Sequence, residues 1–113
     1  MPATIIAGGK VWRVSLYLRE GARPEATVEN IRHILENWIM RGVHTGKDGM
    51  ESLCYFGFTP SESRMLRVPT SMDGMTIVNT FKDSRATELW NTANWDYFTR
   101  NYANWERRDE NAG

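Results

Sequence analysis

Apolar and polar positions alternate from Val11 to Arg19. Trp12, Val14, Leu16 and Leu18 fall on one side; Arg13, Ser15, Tyr17 and Arg19 fall on the other. A period of two carried by aromatic and β-branched residues predicts a strand with one buried face. Gly8-Gly9 and Gly21 bound it, and Thr4 to Ala7 is read as either a short extra strand or a loose arm. After Pro24 the period lengthens. Val28, Ile31, Leu35 and Trp38 recur at helical spacing, with Ile34 and Ile39 widening the stripe, so an amphipathic helix opened by Pro24 is expected. Arg41 suits the negative end of that helix, and Gly42 suits a left-handed cap.

His44 to Gly49 is polar and glycine-rich and predicts a loop. Leu53 to Phe58 reads as a strand, ended by Thr59-Pro60-Ser61, and Met65 to Thr70 as a further strand in which Pro69 marks an edge or bulge. Asp73-Gly74 is a hairpin turn into a strand from Met75 to Phe81. Asp83 or Ser84 can cap a last helix from about Arg85, broken near Asn91 to Asn94, whose apolar stripe runs on through Trp95, Phe98, Tyr102 and Trp105. The order is strand, helix, two or three strands, helix. It predicts an α+β layer: a largely antiparallel sheet with both helices on one face. The other face is then bare, which is a physical reason to expect a homodimer.

Composition narrows this picture. A length of 113 residues suits one domain, divided here into an N-terminal arm (1–10), an α+β domain (11–106) and a polar tail (107–113). Formal net charge is zero, and the basic pair Arg107-Arg108 is followed at once by Asp109 and Glu110, so no nucleic-acid partner is expected. No apolar run approaches the roughly 18 residues that cross a bilayer, and no signal-peptide pattern opens the chain, so the expectation is a cytoplasmic protein without a membrane partner. The lone Cys54 sits in an apolar run and reads as a small hydrophobe.

Few residues offer chemistry. His33 and His44 have no carboxylate at a metal-ligand spacing, so neither a metal nor a cofactor is expected. Arg13 and Arg67 are the strand cations expected to point inward, where either could hold a phenolate or carboxylate. Tyr17 shares a strand face with Arg13, and a cation lowers a neighbouring phenol's pKa. Asn79 could orient a carbonyl or stabilise an enolate. Trp90 and Trp95 could wall a planar ligand, with core packing as the alternative.

Three stretches carry a family resemblance. Ser71-Met72-Asp73-Gly74-Met75-Thr76-Ile77-Val78-Asn79 resembles the hairpin of antibiotic biosynthesis monooxygenases, where a DG turn enters a strand ending in a Val-Val-Asn-like triplet. Val78-x-x-Phe81-x-Asp83-x-x-Ala86 resembles their strand-end aromatic, cap and helix, and Trp95-Asp96-Tyr97-Phe98 the break in their second helix. The resemblance spans Ser71 to Trp105. It implies ferredoxin-like subunits that pair into a dimeric α+β barrel, and oxygenation of phenolic polyketides without metal or flavin. It places Asn79 at the substrate and Phe81 at the aromatic position. The tryptophan of the quinone-forming members falls on Asp83, and their second-helix tyrosine has no clear match. The family's final strand is not visible either, so Leu53 to Phe58 or the N-terminal arm is expected to replace it.

Two functional readings follow. One is a cofactor-independent monooxygenase or cyclase acting on a small aromatic ligand, with Asn79, Tyr17 and Arg13 catalytic and Phe81, Trp90, Trp95 and Arg67 at the substrate. The other is a non-catalytic, dimeric ligand-binding or assembly module.

Overall fold

In the computed structural model, which describes residues 1–21 and 23–108, the chain begins with a hairpin of β1 (Thr4–Ala7) and β2 (Lys10–Val14). The strand expected to reach Arg19 stops at Val14. Ser15 accepts a hydrogen bond from the Leu18 N–H and donates to the Val78 carbonyl, which turns the chain into the short helix α1 (Leu16–Arg19). Leu18 is buried from that helix, whereas Leu16 and Tyr17 are exposed. Helix α2 (Val28–Asn37) is capped by Thr27, whose hydroxyl accepts from Asn30 N–H at 3.1 Å. Pro24 lies outside it, because Glu25 is buried and its carboxylate accepts from the Lys82 N–H.

The end of α2 departs from expectation more sharply. Trp38 is extended, and the Ile39 N–H donates to the Phe56 carbonyl, so the chain enters β3 (Met40–Thr45) where the pattern predicted helix and loop. Gly42 is therefore no cap. A Cβ on it would meet the Tyr102 Cβ at 2.8 Å, so only glycine admits that side chain. β4 (Glu51–Gly57) and β5 (Leu66–Thr70) follow as expected. The strand predicted from Met75 to Phe81 divides into β6 (Thr76–Ile77) and β7 (Phe81–Lys82), and both pair with β5. Pro69 falls near the joint between the two pairings.

Asp83 caps α3 (Ser84–Asn91), and after a break α4 (Trp95–Asn101) completes the expected helix pair. Tyr102 then turns extended, and Ala103–Arg107 forms β8 against β3, where a frayed helix end was expected. The expected polar tail lies, from residue 109 on, outside the described residues.

The eight strands form one sheet in the order β1-β2-β6-β5-β4-β3-β8, with β7 beside β5 off that path. The sheet is mixed, since β2 and β6 run parallel. Alternation along β4 divides the core in two. Leu53 and Tyr55 join Ile31, Ile34 and Leu35 of α2 on one face; Cys54 and Phe56 join Ala86, Leu89, Phe98 and Tyr102 of the α3–α4 layer on the other. Each fully buried aliphatic side chain contributes about 1.5–3 kcal/mol, so both helical layers are held by their apolar stripes.

This corrects the predicted architecture. The helices do not share a face; α2 lies opposite α3 and α4. The ferredoxin-like, dimeric α+β barrel implied by the family resemblance is overturned by a sheet that does not close: β1 and β8 stand at its two ends and do not pair with each other. The bare face that argued for a homodimer is also largely gone. What remains uncovered lies opposite α2 on β1 and β2, where the cross-strand pair Ile6 and Val11 is exposed. No helix among the described residues is long and apolar enough to cross a membrane.

Candidate functional site

Arg67 is the charged side chain that the sheet delivers into the α3–α4 layer. It sits on β5 between two paired aromatics, Phe56 on β4 and Phe81 on β7. The guanidinium carbon lies 5.6 Å from the Phe56 ring centroid, 5.5 Å from that of Phe81 and 5.6 Å from that of Tyr102. Its Nη1 is 3.5 Å from Oδ2 of Asp83, and both side chains are mostly withdrawn from solvent, at 15% and 13% exposure. Asp83 is fixed in turn, because Oδ1 accepts from the Ala86 N–H at 2.9 Å as the cap of α3. One carboxylate thus anchors a helix and neutralises a buried cation.

The Arg67 Nε–H is buried and meets no acceptor in good hydrogen-bond geometry among the described residues, although the Cys54 thiol is a hydrogen-bonding neighbour of the guanidinium. A buried donor without a partner costs about 1–3 kcal/mol, so native proteins rarely keep one without cause. Arg67 also lines a cavity of about 110 Å³, together with Asp83, Arg85, Ala86, Leu89, Tyr97, Phe98 and Tyr102. Arg85 is exposed at its rim, 5.0 Å from the Tyr97 ring centroid. The lining holds two guanidiniums against one carboxylate, an excess of positive charge in a partly dehydrated space.

Electrostatics keep these groups in fixed states. Burial works against the Arg67 charge, but the neighbouring Cys54, Tyr102 and Asp83 outweigh it and hold the pKa above the ordinary arginine value. Burial pushes the Tyr102 phenol above its ordinary range, with Arg67 opposing, so its hydroxyl stays neutral and able to donate. Burial and then Arg67 lower the pKa of His44, whose ring lies 5.6 Å from that of Tyr102. His44 is therefore uncharged at neutral pH. Among the described residues no group of His, Cys, Asp and Glu could hold a metal ion. The lining joins two guanidiniums, one carboxylate and two phenol hydroxyls.

Of the residues singled out from sequence, Arg67 lies at this site and Phe81 stacks on its guanidinium. The others lie elsewhere. Arg13 and Tyr17 are exposed, on β2 and α1, and no longer share a strand face. Asn79 is half-buried between β6 and β7, with its Oδ1 accepting from the Thr80 N–H at 2.8 Å. Trp90 and Trp95 pack edge to face at 5.2 Å and do not line the cavity. Tyr97, Tyr102 and Arg85 were not singled out. Tyr97 and Arg85 lie off the helical stripe and read as surface residues, and Tyr102 reads as core. For Asp83 the sequence signal was its position as a cap, half of what it does.

Three larger grooves are open to solvent, the smallest of them, of about 370 Å³, lined by Trp95, Trp105, Glu106 and Arg107. Another, of about 560 Å³, runs between the start of α2 and Pro60–Glu62, and a third, of about 540 Å³, lies between the turns at Gly49–Met50 and Ser71–Asp73. In the two largest, Asn30 pairs with Ser61 and Asp73 with Ser71, while Glu29 and Glu51 are exposed to solvent. Compared with known proteins, the chain matches no family model, no curated protein and no solved structure. With the barrel also absent, the monooxygenase, oxidoreductase and polyketide attributes implied by the hairpin resemblance have no remaining support, and the site must be read from its own chemistry.

Proposed function

We propose that the chain is a binding module for a small anion, held between β5 and the α3–α4 layer by Arg67 with Arg85 at the rim. The observation that carries this reading is the cavity itself, which Arg67 and Arg85 line against the single carboxylate of Asp83, leaving positive charge in excess. An anion there supplies charge-assisted hydrogen bonds, which are roughly twice as strong as neutral ones. The Asp83 carboxylate is held by the α3 cap and by Arg67, and burial keeps the Tyr102 phenol neutral, which favours binding over catalysis. The free, fully buried Cys54 fits a reducing compartment such as the cytoplasm.

The test compares thermal melts of the wild-type protein and Arg67→Gln in sodium acetate and sodium phosphate at matched ionic strength. A ligand that binds only the folded state raises stability by about 2.7 kcal/mol at a hundred times its Kd. The wild type should show a saturable rise in Tm with at least one of these anions, and Arg67→Gln should lose it. The comparison is of the rise, not of Tm itself, so any intrinsic destabilisation of the variant does not enter. Equal responses in both proteins would mean that the salts act on the whole surface, and the site would have no anion-binding role.

A further inference from the structure

We infer that the chain forms a two-fold homodimer through the part of the sheet that α3 and α4 leave bare. The Ile6–Val11 ridge of each copy sits in the other copy's groove, between the turns at Gly49–Met50 and Ser71–Asp73. This does not depend on the anion-binding reading above.

Ridge and groove lie on one face. Ile5, Trp12, Val14 and Ile77 are buried in the core on the α2 side, so strand alternation turns Ile6, Val11, Arg13 and Val78 to the opposite side. Ser52 lines the groove with Val78. Cys54, two residues on from Ser52, faces the α3–α4 core, which puts the groove on that same side. Ile6 and Val11 are each 62% exposed, Met50 69%, Met72 50% and Val78 41%. Together they expose on the order of 500 Å² of apolar surface, near the upper end for a patch on a monomer. With Thr4, Arg13, Thr76 and Ser71 beside them, the face approaches the ~800 Å² per partner that a stable complex buries. The apolar share, about two-thirds, is that of a homodimer interface.

The occupant is a second copy because the face complements itself. A two-fold axis in the interface plane, along the direction of β6, lays the β1–β2 side of one copy over the β4 side of the other. β2 and β4 are three strand positions apart in the sheet, about 14 Å. Each apolar ridge then meets an apolar groove, and both contacts form at once. The groove holds about 540 Å³, and the unbranched side chains of Met50 and Met72 adapt to the branched ones entering it. Charge is opposed by the same rotation. The ridge side carries the exposed Lys10 and Arg13; the groove side carries the exposed Asp48, Glu51 and Asp73 with one lysine, Lys47. Neither Arg13 nor Glu51 is in an ion pair among the described residues, and the rotation brings each towards the other.

Other coverings fit less well. Strand addition at the edge of β1 is blunted, because the Ile6 carbonyl accepts from the Arg32 Nε–H and the Gly8 N–H donates to Glu36. Residues 109–113 follow β8, and five residues span at most about 18 Å. β2 is five strand positions from β8, about 24 Å.

The experiment is sedimentation equilibrium of the full chain over micromolar concentrations, where the wild type is expected at twice the mass of one chain. Val11→Glu on the ridge and Met50→Lys on the groove each drive a charge into the contact and should raise the dimer Kd about a hundredfold or more. Both positions are exposed in the single chain, so circular dichroism should show both variants folded, and either one alone tests the surface. Arg13→Glu and Glu51→Arg should each weaken self-association about tenfold. An equimolar mixture of those two should restore it, because each chain then meets its opposite. A monomeric wild type would leave the face to a different protein and overturn the homodimer. A dimer that neither Val11→Glu nor Met50→Lys weakens would overturn this surface. Association lost in both charge variants and not restored on mixing would overturn the two-fold arrangement.

Discussion

Replacing Phe56 by alanine is expected to lower stability by about 3–5 kcal/mol, the range for truncating a fully buried phenylalanine. Phe56 is 0% exposed at the centre of β4 and packs edge to face against Phe98, Tyr102 and Trp105. Its ring also lies against the Arg67 guanidinium. The rings around it belong to α4, to β8 and to the corner between them, which Gly42 approaches closely at Tyr102. The void therefore opens among stacked rings that have little freedom to close it. Urea unfolding monitored by circular dichroism measures the effect. A loss below about 1 kcal/mol, the size of a surface substitution, would mean that α4 does not pack on this face of the sheet.

The second large effect is at Asp83, which has two separable roles. Asp83→Ala removes the cap of α3 and the partner of Arg67 together. A lost cap costs about 1 kcal/mol. Removing one partner of a buried ion pair costs about 3–5 kcal/mol, and at 3.5 Å, beside a cavity, the lower part of that range or somewhat less applies. A total of about 3–4 kcal/mol is expected for Asp83→Ala. Asp83→Asn preserves the cap, so it should lose only the ion-pair part, leaving a gap of about 1 kcal/mol between the two variants. Adding Arg67→Met to Asp83→Asn should recover stability, because the stranded cation is the main source of the loss. If the double variant is no more stable than Asp83→Asn alone, the pair does not carry the energy assigned to it.

How much of this was legible in the sequence depended on whether local signals and tertiary contacts agreed. They agreed at α2, where Ile31, Ile34 and Leu35 keep helical spacing, and at α3 and α4, where Asp83 caps and Asn91 to Asn94 marks the break. They disagreed where apolar residues serve both periods. Trp38 and Ile39 extend the helical stripe of α2, yet Ile39 and Met40 are held to β4 by strand pairing. Trp105 continues the spacing of α4 but lies in β8, stacked on Phe98 at 4.5 Å. Missing β3 and β8 hid two of the sheet's strands, and with them the fact that the helices lie on opposite faces.

The candidate site was half legible for a related reason. Arg67 stood out as a cation inside a strand. Its setting did not, because Asp83, Tyr97 and Tyr102 come from elements whose placement relative to β5 is set by tertiary packing. The hairpin resemblance drew attention to Asn79, and the strand alternation to Tyr17. The Asp73-Gly74 turn that carried it is explained locally, since the Asp73 carboxylate accepts from the Ser71 hydroxyl and from the Met75 N–H. A turn satisfied by its own residues says little about chemistry elsewhere.

The most direct measurement is a crystal structure of the protein grown with acetate in the mother liquor. Planar density in paired contact with the Arg67 guanidinium, between β5 and the α3–α4 layer with α2 on the opposite face, is the predicted result. A cavity filled by neighbouring side chains, with no ligand density against the Arg67 guanidinium, would contradict it.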